Sequence, residues 1–162
     1  MNRLRKRRYV VAVLAMISIG SVWMTGCKSP AEKAHRQGKQ YLYEGEYPEA
    51  IQSFKKTIQL DPQYRRAYVR LADAYADSGN TTATIQTYRQ GIKAVPTYFK
   101  LYRRLAEAYY DRGELINAKT VCEKALAQNA ISKDPEEAKD IRQLLGDINA
   151  ALARTQGVPD EQ

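Results

Sequence analysis

The chain has 162 residues, 44% hydrophobic and 27% charged, with 26 Lys and Arg against 18 Asp and Glu for a formal charge of +8. That is enough chain for one small domain with its own core. Two cysteines and one histidine exclude a disulfide-stapled scaffold and a Cys/His metal cluster, both of which need several such residues close together.

The amino terminus reads as an export signal. Met1 to Arg8 carries Arg3, Arg5, Lys6, Arg7 and Arg8 and no acid, Tyr9 to Met24 is an apolar run of 16 residues, and Thr25-Gly26-Cys27 follows. A basic region, a short apolar region and small residues before a cut site are the parts of a secretory signal peptide, here residues 1–26. With a cysteine directly after Gly26, the stretch resembles a bacterial lipoprotein signal, and the resemblance implies that Cys27 is lipidated, with a palmitate-type chain among its acyl groups. An uncleaved anchor helix is the alternative, although the run falls just short of the ~17–25 residues usual for a span. Residues 27–30 then form a tether of about 10 Å between lipid and domain. Lys28 differs from the aspartate that resembles an inner-membrane retention signal, which favours the periplasmic face of an outer membrane in a two-membrane cell. Without the leader's five cations the chain keeps 21 basic and 18 acidic residues, a net of +3. That is far from the basic footprint of a nucleic-acid binder, so no nucleic-acid partner is expected.

Beyond the tether, the sequence repeats every 34 residues. Tyr41, Tyr75 and Tyr109 fall at that spacing, as do Gly45, Gly79 and Gly113, and so do Gly38, Ala72 and Ala106. Ala50, Thr84 and Ala118 follow the same period, then Phe54, Tyr88 and Cys122, while Pro62 and Pro96 close two copies and Ala130 stands in the third. Within each copy apolar residues recur three and four apart, the helical spacing, on either side of a glycine suited to end a helix. These features resemble the tetratricopeptide repeat family. They imply an all-α solenoid of helical hairpins over residues 31–132, divided as 31–64, 65–98 and 99–132.

A stacked array needs a cap on its open end. Asp134-Pro135-Glu136-Glu137 is a good helix start, and Ala138, Ile141, Leu144, Leu145, Ile148, Ala151 and Leu152 follow on one face. No glycine interrupts them where the repeat would turn, so residues 133–154 are expected to form one long capping helix, with a flexible tail over 155–162.

Catalytic chemistry is missing from the sequence. There is no phosphate-binding glycine loop, no dinucleotide fingerprint, no helical pair of histidines for zinc, and no nucleophile with a histidine placed to activate it. Cys122 stands where the earlier copies have Phe54 and Tyr88 and is expected to be a small buried thiol. The reading is a non-enzyme without cofactor or metal.

In tetratricopeptide arrays the first helices of the pairs line a groove, and their outward residues become candidates for binding. One row is Arg36, Arg70 and Arg104; others are Glu32, Arg66 and Lys100, then His35, Val69 and Arg103, then Lys39, Asp73 and Glu107. Family members that hold a terminal carboxylate use a clamp of basic and amide side chains. Lys100 and Arg104 match its basic pair, His35 stands in place of a lysine, and Lys39 and Arg70 stand in place of asparagines. Arg36, Arg70, Arg104, Lys100, Arg66, Arg103 and Lys39, with Tyr43 and Tyr110 as aromatic contacts, are the candidate partner-binding residues. The alternative for the arginine row is pairing within helices, Arg70 with Asp73 and Arg104 with Glu107, at a spacing that gives ~0.2–0.5 kcal/mol.

The resemblance as a whole implies a membrane-anchored scaffold of the bacterial cell envelope that holds a protein or peptide, in pilus, secretin or outer-membrane assembly. Two alternatives stay open: an adaptor for a cell-wall enzyme or an export client, and, from another class, an enzyme accessory or weak hydrolase.

Overall fold

The computed structural model describes residues 29–132 and 135–155. Seven α-helices run in order: α1 Pro30–Glu44, α2 Tyr47–Leu60, α3 Arg65–Asp77, α4 Thr81–Ala94, α5 Phe99–Asp111, α6 Leu115–Ser132 and α7 Pro135–Thr155. No strand occurs among the described residues. Cys27 and its leader lie outside them, as does the Asp134 expected to cap the last helix. No helix among the described residues is long and apolar enough to cross a membrane.

Local chemistry sets the helix ends. Ser29 Oγ accepts a hydrogen bond from the Glu32 amide at 3.1 Å, with Pro30 in the first turn of α1, so one orphan donor is satisfied and the proline needs none. Asn80 does the same for α4, accepting from the Ala83 amide at 3.0 Å. The three hairpin turns rest on Gly45, Gly79 and Gly113, at φ of 78°, 79° and 73°. A side chain at any of them would be strained in that left-handed region. Where Pro62 and Pro96 follow the ends of α2 and α4, the third copy has Ala130 and α6 runs on to 18 residues. Without a proline, nothing in the chain breaks the helix there.

Each helix packs on its sequence neighbours, and the first helices of the pairs also touch in turn, α1 on α3 and α3 on α5. The last helix packs on α6 and on α5, so α7 takes the place that the first helix of a fourth pair would have. Phe54, Tyr68, Leu101 and Tyr102 are fully buried along the stack. Ile141 and Ile148 from α7 join Phe99, Tyr102, Ala106, Ala118, Cys122 and Ala125 in one apolar cluster. Two glycines mark close approaches: a Cβ on Gly38 would meet Phe54 at 2.8 Å, and one on Gly91 would meet Leu101 and Tyr68 at 2.9 Å.

Candidate functional site

Five of the candidate cations share one place. Lys39 of α1, Arg66 and Arg70 of α3, and Lys100 and Arg104 of α5 line a cavity of about 320 Å³ together with His35, Val69, Asp73 and Tyr98. The 34-residue period carries these side chains to corresponding places on successive first helices, and the stacking of α1, α3 and α5 brings them side by side. Asp73 is the single acid of the lining. The cavity is therefore strongly electropositive and suited to carboxylates, which a guanidinium can grip with two parallel hydrogen bonds.

Much of that charge is only lightly engaged. Arg70 Nη1 lies 3.3 Å from Asp73 Oδ2, and Arg104 Nη1 lies 3.4 Å from Glu107 Oε2. Both arginines keep their side chains nearly half exposed, and a bridge of that length in solvent contributes little to stability. The intrahelical pairs exist, and each leaves guanidinium donors free for a ligand. The Arg104 Nε is buried and has no partner among the described residues, an unsatisfied donor that an anion could relieve.

His35 forms one wall. Only 8% of it is exposed, its ring is 4.9 Å from Tyr64 and 5.6 Å from Phe54 between centroids, and its Nε2 is buried without a partner. Burial lowers its pKa below the ordinary 6.5, and Lys39, Arg70 and Arg66 push it further the same way. The imidazole is neutral at pH 7 and adds a polar atom without another charge. Burial raises the pKa of Asp73, with Arg70 and Arg104 opposing, while Tyr88 donates its hydroxyl to Asp73 Oδ1 at 3.5 Å.

The remaining candidates lie elsewhere. Arg36 is exposed on α1 but does not line the cavity, since among the described residues no helix pair precedes α1 to supply the other wall. Arg103 pairs with Glu107 at 2.6 Å and borders a smaller cleft with Phe99, Lys100, Asp140 and Ile141. Tyr43 is 94% exposed at the end of α1, and Tyr110 is partly exposed at the end of α5; neither reaches the cavity. Cys27 is outside the described residues. Tyr98 is a lining residue that the rows did not name. It was findable, since Tyr64 and Tyr98 are one period apart: the first packs on His35 and the second takes the Arg65 guanidinium over its ring at 5.0 Å.

No group of His, Cys, Asp and Glu among the described residues could hold a metal ion. Burial pushes the Cys122 thiol up to about 11, which leaves it protonated and unreactive at neutral pH.

Comparison with known proteins bears on the fold. A TPR repeat model matches residues 38–79, and a tetratricopeptide repeat model matches residues 66–98. No curated protein matches the chain. Among solved structures, the TPR2B domain of yeast Sti1 in its pHsp70 complex is 25% identical, with a TM-score of 0.64 over 75% of this chain and 97% of that one. PcrH from Pseudomonas aeruginosa is 20% identical, with a TM-score of 0.63 over 79% and 99%. The Yersinia enterocolitica type III secretion chaperone SycD, in complex with a peptide of the translocator YopD, is 20% identical, with a TM-score of 0.63 over 77% and 96%. At such identities the likeness is one of fold. Residues 38–98 thus match tetratricopeptide repeats, and the described chain is an all-α tetratricopeptide solenoid.

Proposed function

We propose that this protein is a non-catalytic, membrane-anchored scaffold of the bacterial cell envelope, and that it holds an acidic or carboxylate-bearing segment of a partner protein in the cavity between α1, α3 and α5. The observation that carries the reading is the convergence of Lys39, Arg66, Arg70, Lys100 and Arg104 on one cavity beside the unpartnered Nε2 of His35. Stacked repeats of this kind present binding surfaces, and the similar domains named above include two caught with a ligand, pHsp70 for Sti1 and a YopD peptide for SycD. A binding role in assembly or in guarding an export client fits that company.

Anchoring rests on the sequence. The basic leader, the apolar run and Thr25-Gly26-Cys27 support cleavage before Cys27 and acylation of its thiol and amine. Two or more acyl chains hold a protein stably on a bilayer, whereas one does not. Ser29 already caps α1, so the tether is short and the first helix pair sits close to the membrane. Lys28 after the cysteine supports the outer membrane.

Arg70→Ala with Arg104→Ala tests the binding half. The double variant should keep its fold and lose capture of the partner segment, and added salt should weaken the wild-type complex in the same way. Undiminished capture by a folded double variant overturns the reading. Intact mass after detergent extraction tests the anchor: residues 1–26 should be gone and acyl mass added, and an unmodified full-length chain in the membrane overturns it.

A further inference from the structure

We propose that the groove between the second helices of the second and third pairs is a separate docking site for an acidic amphipathic helix of a partner protein. This groove lies on the far side of α5 from the cavity above. Lys100 and Arg104 emerge from one side of that helix, and Leu105 and Tyr109 from the other, as the 3.6-residue turn requires. Its volume is about 460 Å³, and its walls are α4 and α6, whose Cα atoms nowhere come within 8 Å of each other. Ile92, Leu105, Tyr109 and Val121 give it an apolar floor, Arg89 and Lys93 stand on the α4 wall, and Lys124 stands on the α6 wall.

The charges point to the ligand. No acid lines the groove, and none of the three cations has an ion-pair partner among the described residues. With cations on both walls of an apolar trough, the complementary ligand has an apolar stripe with acids on both flanks. An amphipathic helix presents that pattern, and laying one into a hydrophobic groove is a recurring mode of recognition.

The molecule contains its own control. One period earlier, α2 and α4 enclose the equivalent groove, of about 310 Å³, over Ile58, Leu71 and Tyr75. There Gln59 and Gln90 hold the places of Lys93 and Lys124, and Thr87 holds the place of Val121. Its one cation, Lys55, already lies over the Tyr75 ring, 5.6 Å from the centroid. The same scaffold therefore offers one groove with a single cation already engaged on a ring and one more basic, more apolar groove. The difference lies in side chains that the repeat itself does not need.

Lys93→Gln with Lys124→Gln makes the second groove like the first, with residues the fold already accepts at equivalent positions. The probe is a labelled helical peptide with leucines at three- and four-residue spacing and glutamates on both flanks, followed by fluorescence anisotropy against the full chain. Binding should weaken about tenfold in the double glutamine variant and be unchanged in Arg70→Ala with Arg104→Ala. The same peptide with lysines for glutamates should not bind. Absent binding, equal binding of the lysine peptide, or indifference to the glutamine changes overturns the proposal. Loss in the arginine variant instead assigns the peptide to the other face, and capture of phosphatidylglycerol vesicles without the peptide assigns the groove to lipid; either result also overturns it.

Discussion

The two ends of the stack solve the same problem differently. At the carboxyl end, α6 would leave an apolar side open, and α7 closes it by burying Ala138, Ile141 and Ile148 while turning Lys139, Asp140, Arg142 and Gln143 to solvent. At the amino end the described residues begin with Ser29 and α1. There α1 is its own cap, with Ala31, Ala34, His35 and Gly38 inward and Lys33, Arg36, Gln37 and Gln40 outward. One end owes its stability to added apolar area, while among the described residues the other turns mostly polar side chains outward. Losing polar side chains from the second should cost little; losing α7 should cost much.

Removing the chain after Ser132 is therefore the largest expected effect. Burying Ile141 and Ile148 alone is worth ~3–6 kcal/mol at ~1.5–3 kcal/mol per large apolar side chain, a large share of ordinary domain stability. The thermal midpoint should fall by many degrees, and Cys122, packed in the same cluster, should become open to thiol reagents that the intact protein resists. An unchanged midpoint and an unreactive thiol in the truncated chain would show that α7 is not a cap.

Next comes the close packing inside the repeats. Gly38→Ala drives a Cβ into the fully buried Phe54 ring, and overpacking of that kind costs ~1–3 kcal/mol, partly offset by alanine's better helix propensity. Ala72 and Ala106 tolerate their methyl groups at the same register, so the loss should be confined to the first pair. Chemical denaturation of Gly38→Ala against wild type measures it, and a gain in stability would mean that Phe54 can move aside.

A smaller effect concerns pH. The folded protein lowers the His35 pKa below 6.5, so the unfolded chain takes up its proton first as pH falls. The contribution to stability is complete above about 6.5 and declines below it. A carboxylate ligand offsets Lys39, Arg66 and Arg70 and should raise that pKa again. Binding should then tighten from neutral pH down to about 6 with proton uptake, measurable by calorimetry in buffers of different ionisation enthalpy. His35→Phe, which keeps a ring against Tyr64, should abolish the uptake. Smallest of all, Lys33→Ala with Arg36→Ala should shift stability by no more than about 0.5 kcal/mol, as expected of an end that depends on polarity alone. A drop of several times that size would mean this face is packed against something.

The helical stack was legible because the period is written in residues with single jobs. Gly45, Gly79 and Gly113 stand where left-handed turns end the first helices, whereas the longer α6 was not read from the missing proline at Ala130. The unbroken face from Ala138 to Leu152 announced α7. The cavity was legible in part. Register gave the rows, but which members meet depends on how neighbouring pairs rotate and on which described pair comes first in the stack. Arg36 fell outside for that reason, and Arg103 turned toward Glu107. The groove between α4 and α6 was hidden because Arg89, Lys93 and Lys124 look like ordinary solvated helix charges until the floor beneath them is seen.

The central claim is that the cavity between α1, α3 and α5 holds a partner's acidic segment. Its most direct test is a photo-crosslinking residue at Arg66, inside the cavity, compared in living cells with one at Lys56, exposed on α2 and outside it. The account predicts an adduct from position 66 to a segment rich in Asp or Glu, no matching adduct from position 56, and loss of the first in an Arg70→Ala, Arg104→Ala background. An adduct that survives the double change, or one that forms only from position 56, would contradict it.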